Sequence, residues 1–253
     1  HLNLFVLFLL LFVSTGEIIS QTIITDRPDQ TESSSTIQKG VLQIESGVVI
    51  QYTEAGNERI RNILAPTNLF RLGLTDGIEL RILNQVEQLK LLRSGRSFEG
   101  LSDLEIGTKI QLYQKEDVNT EIAFLSHLIC PTGSKDLTID GFGTINKLSI
   151  AHSLTDDIGV GYNVGYDYFA EGSGNLTYSL AIGFGLTSKL SVYIEPYGAI
   201  VEFEEHEASF DAGITFLTSD NFQLDFSFGT GLNYTMNYVS FGFSWRIMDE
   251  NKE

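Results

Sequence analysis

Large apolar residues occupy every second position over long stretches of the chain. In residues 158–168, large side chains alternate with glycine, asparagine and aspartate, and the same alternation recurs in residues 176–186 and 222–228. Because successive side chains of a β-strand point to opposite faces, this period of two predicts strands. Further segments of this kind lie at 42–52, 63–74, 78–87, 104–112, 121–130, 144–154, 190–199, 208–217 and 239–245.

The connections between these segments alternate in length. Short turns are expected at 75–77, 155–157, 187–189 and 218–221, with a longer one at 114–120; long polar connections are expected at about 53–61, 88–100, 131–143, 169–175, 200–207 and 229–235. Outer-membrane barrels have short periplasmic turns and longer outer loops. The pattern therefore predicts an all-β fold, a transmembrane antiparallel up-and-down β-barrel of about twelve strands of about 9 to 11 residues each, with both termini periplasmic.

The composition of the two strand faces favours a membrane barrel over a soluble β-sandwich or a lipocalin-like barrel. A soluble fold would turn the apolar face inward and a polar face to water. Here the second face is rich in Gly, Ser, Thr and Ala, which suits a crowded lumen. Aromatic residues near strand ends match the girdles of membrane barrels. They are Tyr52, Tyr113, Tyr166, Tyr168, Phe222 and Trp245.

This interpretation implies a location and partners. We expect the protein in the bacterial outer membrane, with outer-membrane lipid around its apolar face. We also expect the barrel-assembly machinery as its partner during insertion.

The chain divides into four parts. The apolar run at residues 2–13 is shorter than the roughly 20 residues of a spanning helix and is followed by small residues, as in a signal peptide. Residues 1–20 are therefore predicted to be a signal peptide; a buried or anchoring helix is the alternative. Residues 21–40 form a predicted periplasmic N-terminal segment, residues 41–247 the barrel, and residues 248–253 a periplasmic tail.

Charge and residue spacing argue against several classes of site. The net charge of −17 disfavours nucleic acid, whose phosphates require Lys and Arg. The four His and the single Cys lack metal-ligand spacing, so we predict no metal and no cofactor. His152 and Ser153 are neighbours on a predicted strand and point to opposite faces, so His152 is poorly placed to activate Ser153. We therefore predict no catalytic residue and no enzyme activity.

The inferred lumen face carries charged residues of both signs. They admit two interpretations, which can hold together. Opposite charges can pair across a narrow lumen, since an unpaired buried charge is costly. Alternatively, an acidic conduit can favour cations or polar neutral solutes. The candidate lumen residues are Glu45, Arg71, Glu79, Arg81, Glu105, Lys109, Asp167, Glu195 and Asp225.

Several short motifs are more specific than the alternation. They lie at residues 25–36 (TDRPDQTESSST), 39–40 (KG), 43–47 (QIESG), 71–81 (RLGLTDGIELR), 131–133 (PTG) and 161–166 (GYNVGY). Together they resemble a bacterial outer-membrane family labelled "MetA-pathway of phenol degradation", whose members are often named simply as transporters. The resemblance implies a β-barrel connected by name with the uptake of aromatic compounds.

The segment before the first strand is a candidate plug. Asp26-Arg27-Pro28-Asp29 carries three charges and a proline, which exclude a spanning strand. We hypothesise that residues 21–40 fold into the lumen or lie across its periplasmic mouth. Arg27 would then pair with lumen carboxylates such as Glu45 or Glu79, and Asp26 and Asp29 would pair with Arg71 or Arg81.

The favoured function is a channel or transporter for small molecules, with aromatic and hydrophobic compounds among the candidate solutes. A wall of about twelve strands is wider than barrels that side chains fill and narrower than open porins. A lipid hydrolase embedded in the membrane and a structural or adhesive barrel are the alternatives. The first would need a Ser–His pair facing lipid, and the second would need longer outer loops.

Overall fold

The structure, a computed structural model, describes residues 22–115 and 118–247, which form thirteen β-strands. Within these residues no helix is long and apolar enough to cross a bilayer. The strands are β1 Leu42–Ala55, β2 Glu58–Thr75, β3 Ile78–Leu91, β4 Ser97–Leu101, β5 Leu104–Lys115, β6 Val118–Cys130, β7 Gly143–Ser153, β8 Ile158–Tyr168, β9 Asn175–Gly185, β10 Leu190–Val201, β11 Glu205–Ser219, β12 Phe222–Gly231 and β13 Met236–Ile247.

The strands close into one antiparallel barrel. Each pairs with its neighbour along the chain, and β1 pairs with both β2 and β13, which joins the two ends of the sheet. Both β4 and β5 lie beside β3: β4 pairs with residues 86–90 and β5 with residues 78–83. They are two halves of one wall strand interrupted at Ser102 and Asp103. The wall therefore has twelve strand positions, and the predicted barrel of about twelve strands is confirmed.

The barrel is polar inside and apolar outside. Glu45, Arg71 and Lys109 are at most 1% exposed, whereas Leu112 and Phe241 are 56% and 57% exposed. A soluble β-fold would bury the opposite face. This inversion matches an exterior that faces hydrocarbon and a lumen that holds the charges, so the soluble alternatives are wrong.

Several connections predicted as long loops are strands instead. Residues 53–61 are the ends of β1 and β2 joined at Gly56 and Asn57, and residues 200–207 contain a turn of three residues between β10 and β11. The strands of the twelve-position wall reach up to 18 residues where 9 to 11 were expected. The strand ends farthest from the plug entrance carry polar side chains that hydrogen-bond across strands, such as Asn62 to Glu87 at 2.9 Å. Polar composition alone therefore does not distinguish such strand ends from loops.

The two ends of the barrel differ in their connections. At one end, which we call the short-turn end, the turns include residues 76–77, 154–157, 186–189 and 220–221. At the other, the long-loop end, lie residues 92–96, 131–142, 169–174 and 232–235. The predicted signal peptide at residues 1–20 and the predicted tail at 248–253 lie outside the described residues. The periplasmic position of the termini stays a prediction.

Candidate functional site

Residues 22–40 enter the barrel and occupy part of its lumen; we call them the plug. Ile23, Asp26, Thr31, Ser34 and Ile37 are each at most 8% exposed. The backbone N–H of Ile23 donates to Asp220 O at 2.9 Å, at the short-turn end. The last residues of the plug run along β2, where a side chain at position 73 in place of glycine would collide with Gln38. The hypothesis that this segment lies in the lumen agrees with this geometry.

Asp26 is the most strongly paired residue of the plug. Its carboxylate lies 3.1 Å from Arg71 Nη1, 2.6 Å from Arg81 Nη1 and 2.9 Å from Lys109 Nζ. The N–H of Ser33 also donates to it at 2.8 Å. Burial raises the pKa of Asp26, but the three cations outweigh burial and hold the pKa well below its usual range. Asp26 is therefore ionised and fixes the plug to β2, β3 and β5.

Two wall carboxylates bind the plug backbone. Glu45 accepts the N–H groups of Asp26 and Arg27 at 3.0 and 3.1 Å, and Glu79 accepts the N–H of Ile37 at 2.8 Å. Both carboxylates are also paired with Arg71, at 2.9 and 3.0 Å. Hydrogen bonds to charged groups are stronger than neutral ones. The wall thus replaces the water that these backbone groups would otherwise bind.

Arg27 pairs with a lumen carboxylate, but with Asp225 rather than with Glu45 or Glu79, the two examples named from the sequence. Its guanidinium pairs with Asp225 at 2.9 Å and donates to Ser240 Oγ at 2.9 Å, whereas its backbone, not its side chain, reaches Glu45. The carboxylates of Glu45 and Glu79 are already filled by Arg71, so the side chain of Arg27 turns to β12 and β13. Glycines on β1 and β13 leave the space that it needs.

The predicted partner of Asp29 is wrong. Asp29 lies near Glu195 and Asp211 rather than near Arg71 or Arg81, because the plug has by then crossed towards β10 and β11. Burial raises the pKa of Asp29 well above its usual range, and the two neighbouring carboxylates act in the same direction. Asp26 and Asp29, three residues apart, thus meet opposite electrostatic surroundings.

Two cavities border the middle of the plug. The larger of the two, about 840 Å³, lies at the short-turn end and is lined by plug residues that include Asp29 and residues 31–35, together with β5 to β10. The smaller, about 200 Å³, lies towards the long-loop end and is lined by Gln30, Lys147, Asp167, Tyr197 and Tyr234 among others. Residues 30–32 of the plug lie between the two. We call these three residues the partition.

On the side of β8, β9 and β10, neutral groups and one carboxylate hold the partition to the wall. Glu195 accepts the N–H of Gln30 at 2.7 Å and the hydroxyl of Thr31 at 2.5 Å. The Thr31 and Ser179 hydroxyls lie 2.7 Å apart. Asn163 Oδ1 accepts the N–H of Glu32 at 2.7 Å, and Asn163 Nδ2 donates to Glu32 O at 3.2 Å. β8, β9 and β10 therefore contact the partition without an ion pair.

A family model described as "Putative MetA-pathway of phenol degradation" matches residues 25–247. The chain belongs to this family. The match includes most of the plug as well as the whole wall, so the plug is part of what defines the family. No curated protein sequence matches the chain.

Solved outer-membrane proteins share the fold of this family member at low sequence identity. An outer membrane channel from Pseudomonas putida F1 is 11% identical, with a TM-score of 0.74 over 87% of this chain and 100% of that one. The KdgM porin, one of whose structures contains oligogalacturonate, is 12% identical, with a TM-score of 0.56 over 81% and 99%. The NanC porin is 9% identical, with a TM-score of 0.53 over 80% and 100%. The predicted outer-membrane β-barrel is confirmed.

The remaining candidate residues separate into two groups. Glu105 accepts a hydrogen bond from His127 at 2.8 Å, and Arg81 Nε donates to the other nitrogen of His127 at 2.9 Å, on the side where the plug is paired. Asp167 lies apart, beside the smaller cavity, and one of its carboxylate oxygens is buried without a hydrogen-bond partner. The candidates are thus not one cluster.

Sequence reasoning missed several residues that bind the plug or its wall partners, among them Glu32, His127 and Asn163. His127 and Asn163 lie at lumen-facing positions of their strands, so the alternation could have found them. Glu32 pairs with Arg81 at 2.9 Å, but nothing in the plug sequence distinguishes it from its neighbours.

In the described part of the chain, His152 and Ser153 do not form a catalytic pair, and no metal-binding group is present. His152 Nδ1 lies 2.9 Å from Thr120 Oγ1 and its Nε2 lies 3.2 Å from the Tyr162 hydroxyl, so both ring nitrogens engage partners other than Ser153. No group of three His, Cys, Asp or Glu residues within 22–115 and 118–247 is arranged to hold a metal ion.

Proposed function

We propose that this protein is an outer-membrane channel for small molecules in which the plug divides the lumen into two chambers. The supporting observation is the thinness of the division. Among the described residues of the plug, the three of the partition lie between a cavity of about 840 Å³ at one end and one of about 200 Å³ at the other. A small displacement of three residues would join the two cavities into a passage.

The contacts of the plug indicate where that displacement occurs. Towards β2, β3 and β5, Asp26 and Glu32 are tied to three cations. Towards β8, β9 and β10, the partition is held by hydrogen bonds only. Buried ion pairs cost several kcal/mol to break, about 3 to 5, whereas a hydrogen bond contributes about 1, or about 1.5 to 3 where a carboxylate accepts it. The passage therefore runs between the partition and strands β7 to β11.

The smaller cavity limits the size of the solute. An apolar cavity of about 150 Å³ holds benzene, so a space of about 200 Å³ admits a molecule of one ring. Tyr197 and Tyr234 line this space together with the polar groups of Lys147, Asp167 and Thr177. Single-ring compounds with polar substituents, phenols included, fit this chemistry and agree with the family label. The oligogalacturonate of the KdgM structure is a larger, polar solute.

The remaining features follow from a passive channel. We propose that both termini and the short-turn end are periplasmic, that residues 1–20 act as a signal peptide and residues 248–253 as a tail, and that the barrel-assembly machinery inserts the chain. We propose no enzyme activity. No contact described above favours a lipid hydrolase or an adhesive barrel.

A reversible tether across the partition tests the proposal. Thr31→Cys with Ser179→Cys, in a Cys130→Ser background, places two thiols where the native hydroxyls lie 2.7 Å apart. In liposome-swelling assays with a small neutral sugar, the oxidised full-length protein should lose its uptake and regain it on reduction. Each single variant is the control and should not respond to oxidation. Uptake that is absent from the wild type and from the reduced double variant would overturn the channel.

A further inference from the structure

Two carboxylates face each other on the wall of the proposed passage. Glu195 on β10 and Asp211 on β11 are directly opposite in the strand register, and both are fully buried. Like charges in directly opposed positions are destabilising. The acidic side chain of Asp29 approaches the pair from the plug. Within residues 22–115 and 118–247, no Lys or Arg forms a salt bridge with any of the three.

Two buried oxygen atoms at this cluster have no hydrogen-bond partner. One is Oδ1 of Asp211, whose other oxygen accepts the Tyr238 hydroxyl at 2.6 Å. The other is the hydroxyl of Tyr193, which is 7% exposed and lines the larger cavity together with Asp29. Nearly all buried polar atoms in proteins are paired. Unpaired oxygen atoms beside unneutralised carboxylates are suited to accept a positive charge.

Three basic residues of the lumen do not face the proposed passage. Arg71, Arg81 and Lys109 are at most 1% exposed and are each paired with acidic groups of the plug or of β3. A passing solute along β7 to β11 meets mainly carboxylates instead. The smaller cavity contains Asp167 and Glu207 against Lys147, and the larger contains Asp29, Glu32 and Glu121 against Lys115. The plug therefore pairs with basic side chains of the lumen and leaves mainly acidic ones beside the passage, and it also narrows the lumen.

We propose that the passage selects cations, and that Glu195 and Asp211 are the residues that determine this selectivity. The inference rests on the proposed channel and names the class of solute that it favours: small monovalent cations, including organic ammonium ions. A ring of carboxylates in a wall of low dielectric concentrates cations and excludes anions. A cation that reaches the partition supplies the positive charge that the Glu195–Asp211 pair lacks, and the backbone and hydroxyl oxygen atoms around it can replace part of its water.

Ion selectivity in planar bilayers tests this directly. The full-length wild type, Glu195→Gln, Asp211→Asn and the double variant would be recorded in a gradient of KCl. The wild type should show a reversal potential on the potassium side of zero, and each substitution should move it towards zero, most in the double variant. Glu195→Lys should move it past zero towards the chloride side. The matched control is Asp156→Asn, an exposed acidic residue in a turn at the short-turn end, which should leave the reversal potential unchanged.

The outcomes separate the two proposals. Current without cation preference in the wild type, or a preference that survives in the double variant, overturns the selectivity and leaves the channel standing. Absence of current in the wild type and in all variants, together with absence of sugar uptake, overturns both. Heat-dependent gel mobility of each variant shows whether its barrel has folded, and Asp211→Asn keeps every contact of Glu195 with the plug.

Discussion

The two sides of the lumen differ in whether their buried acidic groups have a cationic partner. On the anchored side, formed by β12, β13, β1, β2, β3 and β5, every acidic group that meets the plug has a cation within hydrogen-bond distance. On the open side, β7 to β11, Glu195 and Asp211 have none. Paired charges fix the plug in one position, whereas unpaired ones leave the partition held by hydrogen bonds. The plug is therefore fixed by ion pairs on one side of the lumen and held by hydrogen bonds on the other, where it can be displaced.

The largest expected effect is on the anchored side. Arg71→Met leaves Glu45, Glu79 and Asp26 buried with one cation fewer, and breaking such a pair costs about 3 to 5 kcal/mol. We expect a loss of that size in the free energy of unfolding, measured by urea titration in lipid vesicles through the fluorescence of Trp245. Arg59→Met, at an exposed strand end beside Tyr52, should cost about 1 kcal/mol or less. Equal losses would mean that the anchored side is not exceptional.

Replacing each plug aspartate separately with asparagine tests whether the two sides of the lumen differ. Asp26→Asn leaves Arg71, Arg81 and Lys109 without their shared carboxylate, so we expect the plug to detach, with increased conductance and faster proteolysis of residues 22–40. Asp29→Asn removes repulsion from Glu195 and Asp211, so we expect a plug held as tightly as in the wild type or more tightly. If both variants detach the plug, or neither does, the two sides are not different.

The two aspartates also predict opposite responses to pH. The pKa of Asp29 is raised in the docked plug, so docking is strongest when Asp29 is protonated and weakens as pH rises from about 4 through the raised pKa. The pKa of Asp26 is lowered, so its contribution is present above about pH 4 and is lost only as pH falls through the lowered value. Conductance should therefore rise between weakly acidic and alkaline pH, and Asp29→Asn should flatten that rise.

The smallest effects concern glycine positions. A methyl group at Gly242, on the anchored side, would collide with the guanidinium of Arg27, so Gly242→Ala should cost about 1 to 3 kcal/mol. At Gly183, on the open side, the nearest atom would be 4.0 Å away. Gly183→Ala should therefore be neutral or slightly stabilising. Urea titration distinguishes the two, and a similar cost at both positions would contradict the difference in free space between Gly242 and Gly183.

Alternation along the strands was sufficient to predict the fold and the lumen face. Each strand has one apolar face, and the small residues of the other face suit a crowded lumen, so Glu45, Arg71 and Lys109 could be placed in the lumen from their positions along the strands. Strand length could not be predicted, because β1 and β2 carry polar residues on both faces where they approach the turn at residues 56–57, so the alternation is lost there.

The contacts of the plug were harder to predict. Its charges show that it does not span the membrane, but it has no period, so nothing in the sequence states where each residue lies along the lumen. Asp26 was correctly paired with Arg71 and Arg81 because the wall offers few cations. Arg27 meets Asp225 rather than Glu45 or Glu79, and Asp29 lies beside Glu195 and Asp211 rather than beside Arg71 or Arg81, since each position depends on where the segment turns. Asp211 gains its importance only from the strand register that sets it opposite Glu195.

The plug also crosses the seam of the barrel, where the first wall strand, β1, meets the last, β13. Asp26 and the backbone of Arg27 are bound by residues of β1, β2, β3 and β5, while the Arg27 guanidinium is bound by Asp225 and Ser240 on β12 and β13. Two consecutive plug residues thus connect the strands on the two sides of the seam. These contacts can form only after β12 and β13 are in place, and the seam cannot part without breaking them. We therefore expect the plug to dock late in assembly and, once docked, to slow unfolding of the barrel.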